Sequence, residues 1–289
     1  MTGSREVWAM RPVDSVDPIE VGQVRIKQAQ VVGRGPLLVR HWWTMLSRAW
    51  TPVLPIYCWL IDHPEGTILV DTGPNSTDDW WYPTHHVYYP LSYRTRVRQG
   101  IGLEAGLEER GLETSDIDAI VLTHCHPDHA EGLELVPDPP VYLEANEAAY
   151  AHTLQGRFWG SHPSYTPSRE RAKLVSLSDK TVGPFDRSAD LPGFPGVSLV
   201  ATPGHTANHC SVVVDGNGPT VLLAGDACLS LDQLESGRVD GVATQGRAGR
   251  ETLDRIDQWR SEEDVVVLPS HDERGVDELQ AVRRSKQVR

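Results

Sequence analysis

The stretch Thr123-His124-Cys125-His126-Pro127-Asp128-His129-Ala130-Glu131-Gly132 places three imidazoles and a carboxylate within six consecutive positions. Folding alone does not ask for that density, because histidine is a poor core residue and is costly to bury without a partner. In extended backbone, residues two apart point to the same side, so His124 and His126 can grip one cation while Cys125 faces away into the protein. Pro127 then turns the chain and opens a helix, where Asp128 and His129 offer a carboxylate and an imidazole to a second cation beside the first. A string of this pattern arises by chance on the order of once per thousand sequences of this composition, so a surface histidine cluster does not account for it.

Working outward, four apolar runs end in a histidine or an aspartate. Residues 117–122 lead into the cluster itself, and residues 197–200 deliver Thr202-Pro203-Gly204-His205. Residues 220–223 end in Ala224-Gly225-Asp226, and residues 265–268 end in Ser270-His271-Asp272. Buried strands that hand polar residues to loops are how a layered α/β enzyme builds a site along one edge of its sheets. Collected, these residues give His124, His126 and His205 for one metal, Asp128, His129 and His271 for another, and Asp226 as a carboxylate able to bridge them. Two cations about 3.5–4 Å apart can share a water and lower its pKa from near 16 towards 7, which yields a nucleophile at neutral pH. Asp128 is the candidate catalytic residue, able to take a proton from that water and return it to a leaving group.

Two further positions have more than one reading. Asp71, in Asp71-Thr72-Gly73 at the end of a hairpin (residues 55–61 and 67–70), is either a turn former or an acceptor that fixes a ligand imidazole from behind through its N–H. His209 lies four residues after His205, but it stands at the start of an apolar run, which favours a structural hydrogen bond over a ligand role.

Composition narrows the class. A formal charge of −13 over 289 residues opposes a nucleic-acid partner, whose affinity comes from clustered Lys and Arg. The four cysteines form no C-x-x-C pair, which fits a reducing compartment. No run approaches the roughly 20 apolar residues of a membrane span, and the N-terminus lacks a signal-like apolar core. The expectation is a soluble, cytoplasmic protein of one domain, residues 1–289, acting on a small molecule and not at a membrane.

Elsewhere the pattern predicts strands over 21–32 and 141–143, helices over 103–110, 145–154 and 250–260, and no assignment for 155–190. Trp42, Trp43 and Trp50 lie between Pro36 and Pro52 and are expected in a loop that caps the core or lines a pocket, with the core cap favoured. Residues 74–102 form an aromatic-rich insertion with Trp80, Trp81, Tyr82, Tyr88, Tyr89 and Tyr93 beside His85 and His86. Linkers are depleted in aromatics, so this segment is expected to wall a substrate pocket or to form a homodimer contact. Its pocket candidates are Trp80, Trp81, Tyr82, His85, His86 and Tyr89.

Five blocks, Val70-Asp71-Thr72-Gly73, Thr123 to Gly132, Thr202-Pro203-Gly204-His205-Thr206, Gly225-Asp226-Ala227 and Ser270-His271-Asp272, resemble the metallo-β-lactamase superfamily in identity and order. The resemblance implies a four-layer αββα sandwich with a dinuclear site at one edge. Within the superfamily, the run Leu54-Pro55-Ile56-Tyr57-Cys58-Trp59-Leu60-Ile61 and the ending Ser270-His271-Asp272 are most similar to the N-acyl homoserine lactonases, which act in quorum quenching. That likeness implies opening of a lactone or related acyl ester with two zinc ions, although iron, manganese or cobalt tolerate the same ligands. A glyoxalase II-like thioesterase and a mononuclear iron persulfide dioxygenase are the alternatives. One position departs from the pattern: Leu229 stands where the best-known lactonases carry a tyrosine, so a pocket-lining phenol is missing there.

Overall fold

The computed structural model describes residues 12–75, 79–83 and 89–287, and two mixed sheets organise them. The first contains β1 (Val16–Ile26), β2 (Leu54–His63), β3 (Gly66–Val70), β4 (Tyr93–Arg96), β5 (Ala119–Val121), β6 (Val141–Glu144) and β7 (Ala172–Val175), in spatial order β4-β1-β2-β3-β5-β6-β7. The second contains β8 (Ser188–Asp190), β9 (Val197–Ala201), β10 (Cys210–Val214), β11 (Thr220–Gly225) and β12 (Val265–Pro269), in order β12-β11-β10-β9-β8. β3, β5, β6 and β7 run parallel, as do β11 and β12, and the remaining pairings are antiparallel.

Alternation along β2 shows how the layers stack. Tyr57, Trp59 and Ile61 join Val212, Val214, Val221 and Leu223 in a cluster between the sheets. Ile56, Cys58 and Leu60 point the other way and pack with Leu103, Leu107, Leu133 and Tyr165. The outer face of the second sheet is covered by the long helix Gly246–Glu262, whose Leu253, Ile256 and Trp259 meet Val200, Val213 and Leu222. A strand buried on both faces reads as a continuous apolar run, which is why these segments show little polar alternation. Helix, sheet, sheet and helix thus form an αββα sandwich.

Several segments differ from the sequence expectation. β1 begins at Val16 and ends at Ile26, and residues 28–31 turn into a short helix. The tryptophan segment is no core-capping loop. It forms the helix Leu37–Leu46 behind Pro36, and Trp42 and Trp43 are 59% and 54% exposed. Proline before the first turn costs a helix nothing, and that outweighs the weak helix preference of tryptophan. Within the stretch 74–102, the described residues 93–96 form β4, which pairs with β1, with Tyr93 opposite Ile26 and Thr95 opposite Val24. The unassigned region 155–190 supplies β7, β8 and part of the helix Leu154–Phe158.

Candidate metal centre and its cavity

The carboxyl ends of β3, β5, β11 and β12 and the loop after β9 meet at one edge of the sandwich. Asp71, just after β3, is the only non-glycine residue with positive φ among the described residues, at 61°. That left-handed conformation is costly for a side chain and persists where surrounding bonds fix it. Here they do. The Asp71 carboxylate accepts from Thr123 N at 2.8 Å, from Thr123 Oγ1 at 2.9 Å and from His129 Nδ1 at 2.7 Å.

These contacts set the histidine tautomers. The single Thr123 hydroxyl proton goes to Asp71, so at the 3.1 Å contact between Thr123 Oγ1 and His124 Nδ1 the imidazole is the donor. His129 Nδ1 donates to Asp71, and His271 Nδ1 donates to the carbonyl of Pro55 at 3.0 Å. In its neutral form each ring therefore turns an unprotonated Nε2 inward, the form a metal requires. His205 Nδ1 faces Asp240 Oδ2 at 3.3 Å, and its Nε2 lies 2.9 Å from His126 Nδ1.

Asp226 stands between the groups. Its Oδ1 is 3.3 Å from both His129 Nε2 and His271 Nε2, and its Oδ2 is 3.3 Å from His205 Nε2. His271 Nε2 is also 3.6 Å from Asp128 Oδ2. The donor atoms fall into three overlapping sets, His124/His126/His205, His124/His129/Asp226 and Asp128/His129/His271, each within 4.8 Å. Burial alone would raise the Asp226 carboxyl, but the imidazoles of His129, His271 and His205 hold it well below the usual carboxylate range. His124 is pushed well below the ordinary histidine value by burial and by the surrounding imidazoles.

Behind this ring the supports are polar and fully used. His209 accepts from Asp226 N at 3.1 Å through Nε2, so its Nδ1 donates to Thr202 Oγ1 at 2.8 Å. Thr202 passes its own proton to Ser211 Oγ, which donates to the carbonyl of Ala224. His209 is thus a strut under the Asp226 loop. Gly225 fits there because its φ is 54° and a Cβ would lie 2.9 Å from His209 Nε2. Cys125 is fully buried, and burial raises its thiol well above the ordinary value, which suits packing and not redox chemistry.

The cluster forms the floor of a cavity that is open to solvent and lined mainly by apolar groups. His126, Asp128, His205, Asp226 and His271 face into it, below walls that include Ile26, His41, Tyr89, Tyr93, Trp159 and Leu229. Of the pocket candidates, Tyr89 and Leu229 lie in the wall. Trp80, Trp81 and Tyr82 do not line it. Trp81 bridges to Thr95 beside β4, Trp80 stacks under Arg96 at 4.4 Å, and Tyr82 packs on the core. His85 and His86 lie outside the described residues. Asp240, His41 and Trp159 carried no recognisable spacing in the sequence, and Tyr93 was one aromatic among many.

A family model described as the metallo-beta-lactamase superfamily matches residues 51–271, and the chain belongs to that superfamily. An N-acyl homoserine lactonase from a Bacillus species is 27% identical over 222 residues, spanning 76% of this chain and 82% of the relative. A solved Bacillus thuringiensis AiiA variant, with N-decanoyl-L-homoserine bound at the active site, matches with a TM-score of 0.69 at 21% identity. It covers 89% of this chain and 93% of its own. AidC, a dizinc quorum-quenching lactonase in complex with a product, matches with a TM-score of 0.60 at 15% identity, over 89% and 87% of the two chains. At such identities the structural matches establish the fold.

Proposed function

We propose that the protein is a dinuclear metal hydrolase that opens a lactone, with N-acyl homoserine lactones as the substrate class and quorum quenching as the role. The observation that carries this reading is the donor set at the floor of an apolar cavity. His124 Nε2, His129 Nε2 and Asp226 Oδ1 are buried and accept no hydrogen bond among the described residues. Buried polar atoms are ordinarily satisfied, and three that converge on one point fit divalent cations. Zinc suits this nitrogen-rich set. His124, His126 and His205 would hold one ion, Asp128, His129 and His271 the other, with Asp226 between them and Asp71 fixing His129 from behind.

When bound, the metal pair supplies Lewis acidity to the ester carbonyl and acidifies the attacking water. The chain's own groups do the rest. Asp128, with a carboxylate in the cavity, accepts the proton released by the water and returns it to the departing alkoxide. The apolar walls take the acyl chain and exclude solvent. A mononuclear iron oxidoreductase would leave the Asp128/His129/His271 set without purpose. The four buried, unpaired cysteines support a cytoplasmic setting, and the exposed apolar side of the helix Leu37–Leu46 supports self-association.

Elemental analysis of unsupplemented protein, paired with a panel of homoserine lactones of graded acyl length, tests the reading. Close to two metals per chain and ring opening that varies with chain length are expected. One tightly held iron, with O₂ consumed during turnover, would overturn it.

A further inference from the structure

Tyr93 is 4% exposed, and its Oη is buried and makes no hydrogen bond among the described residues. It stands on β4, lines the same cavity as Asp128, His126 and His271, and its ring lies 5.0 Å from that of Tyr89. Tyr89 differs in a telling way: its hydroxyl donates to the carbonyl of Gly160 at 3.0 Å. A buried phenol without a partner is unusual, since tyrosine hydroxyls in cores almost always find one. Leu229, where a phenol is missing, lines this cavity as well.

We propose that Tyr93 is a catalytic residue, whose hydroxyl donates a hydrogen bond to the ester oxygen that leaves as an alkoxide when the substrate ring opens. The inference rests on the lactone reading above. In the step, water oxygen bonds to the acyl carbon, the bond from that carbon to the ring oxygen breaks, and the water proton reaches the alkoxide through Asp128. Tyr93 keeps its proton throughout and lowers the energy of the developing negative charge. Burial, with Asp128 and its neighbours adding to it, raises the phenol well above its ordinary value, so it remains a donor across the working pH range. The β4 backbone, paired with β1 at Ile26, holds the ring in place, which suits a preorganised donor.

Tyr93→Phe keeps the ring and its packing, so metal content and folding are expected to stay as in the wild type. The kcat on a homoserine lactone should fall about 10²-fold, the scale for loss of one transition-state donor, with KM changed by no more than about threefold. A ring-opened N-acyl homoserine should perturb the near-ultraviolet absorbance of wild-type phenol, and that signal should be absent in the variant. Adding Leu229→Tyr to Tyr93→Phe should restore at least about tenfold of the lost rate, because a phenol again faces the cavity. If Tyr93→Phe retains kcat within twofold and the same absorbance change, the proposal fails while the lactone reading stands. A wild-type enzyme with two metals but inert on every lactone of the panel overturns both.

Discussion

Asp71 bears more of the site than its position in the sequence suggests. One carboxylate fixes His129 directly and His124 through Thr123, so it orients an imidazole in each of the three donor sets. Asp71→Asn keeps the shape and tolerates the left-handed backbone, but it halves the acceptor capacity and leaves one contact mismatched. Metal affinity is expected to fall about 10–100-fold, the usual cost of losing such a partner, with little change in fold. Chelator competition reads this directly, and unchanged affinity would reduce Asp71 to a turn residue. The sequence left those two roles open because a turn and an acceptor ask for the same residue type. The positive φ and the 2.7 Å contact show that Asp71 occupies the turn and makes the bond together. Asp240 was illegible for a different reason: its partner His205 is 35 residues away, and nothing local marks a lone aspartate before glycine.

At the scale of elements, the strand ends were legible because each delivers its histidine or aspartate within a few residues of an apolar run. The cavity wall was not. It draws residues from the helix Leu37–Leu46, from β4 and from the turn at Trp159, which only tertiary packing brings together. Helix Ala145–Ala151 shows a related effect. Its Glu147 is fully buried, accepting from Cys125 N at 3.3 Å and from Thr206 Oγ1 at 2.9 Å, and so it ties the loop after β5 to the loop after β9. Burial lifts this carboxyl to about 7. Because the folded value is raised, the contribution to stability is full below the unfolded value near 4.5 and is lost as pH rises through about 7. Its full size is on the order of 3 kcal/mol. Glu147→Gln mimics the protonated form, so the Tm of the metal-loaded variant relative to wild type should climb between pH 5 and 8. A difference that stays flat with pH would show that Glu147 is ionised at no cost.

For the molecule as a whole, the helix Leu37–Leu46 has two unlike faces. Arg40, His41 and Thr44 are buried, and His41 and Thr44 with Met45 wall the cavity, while Arg40 donates to the carbonyl of Ala243. Leu38, Val39, Trp42, Trp43 and Leu46 are exposed on the other side, and Leu91 on the neighbouring short helix is exposed too. Isolated apolar residues at a surface need no explanation, but a contiguous set rich in tryptophan resembles the centre of a protein interface. A net charge of −13 repels anionic lipid, which favours a second copy of the chain as the partner. That charge also repels the copy, and salt screens the repulsion while leaving apolar burial intact. Dimer formation should therefore strengthen between about 0.05 and 0.5 M salt, where the screening length drops below about 10 Å. Light scattering after gel filtration, with wild type and a Trp42→Ser/Trp43→Ser variant, measures it. The variant should be monomeric at both salt concentrations. Its KM for long-chain lactones should rise if the partner braces the cavity wall from outside. A wild type that stays monomeric at 100 µM protein in high salt, a concentration at which an interface with a micromolar Kd would be mostly filled, would leave this helix as an exposed outer wall and nothing more.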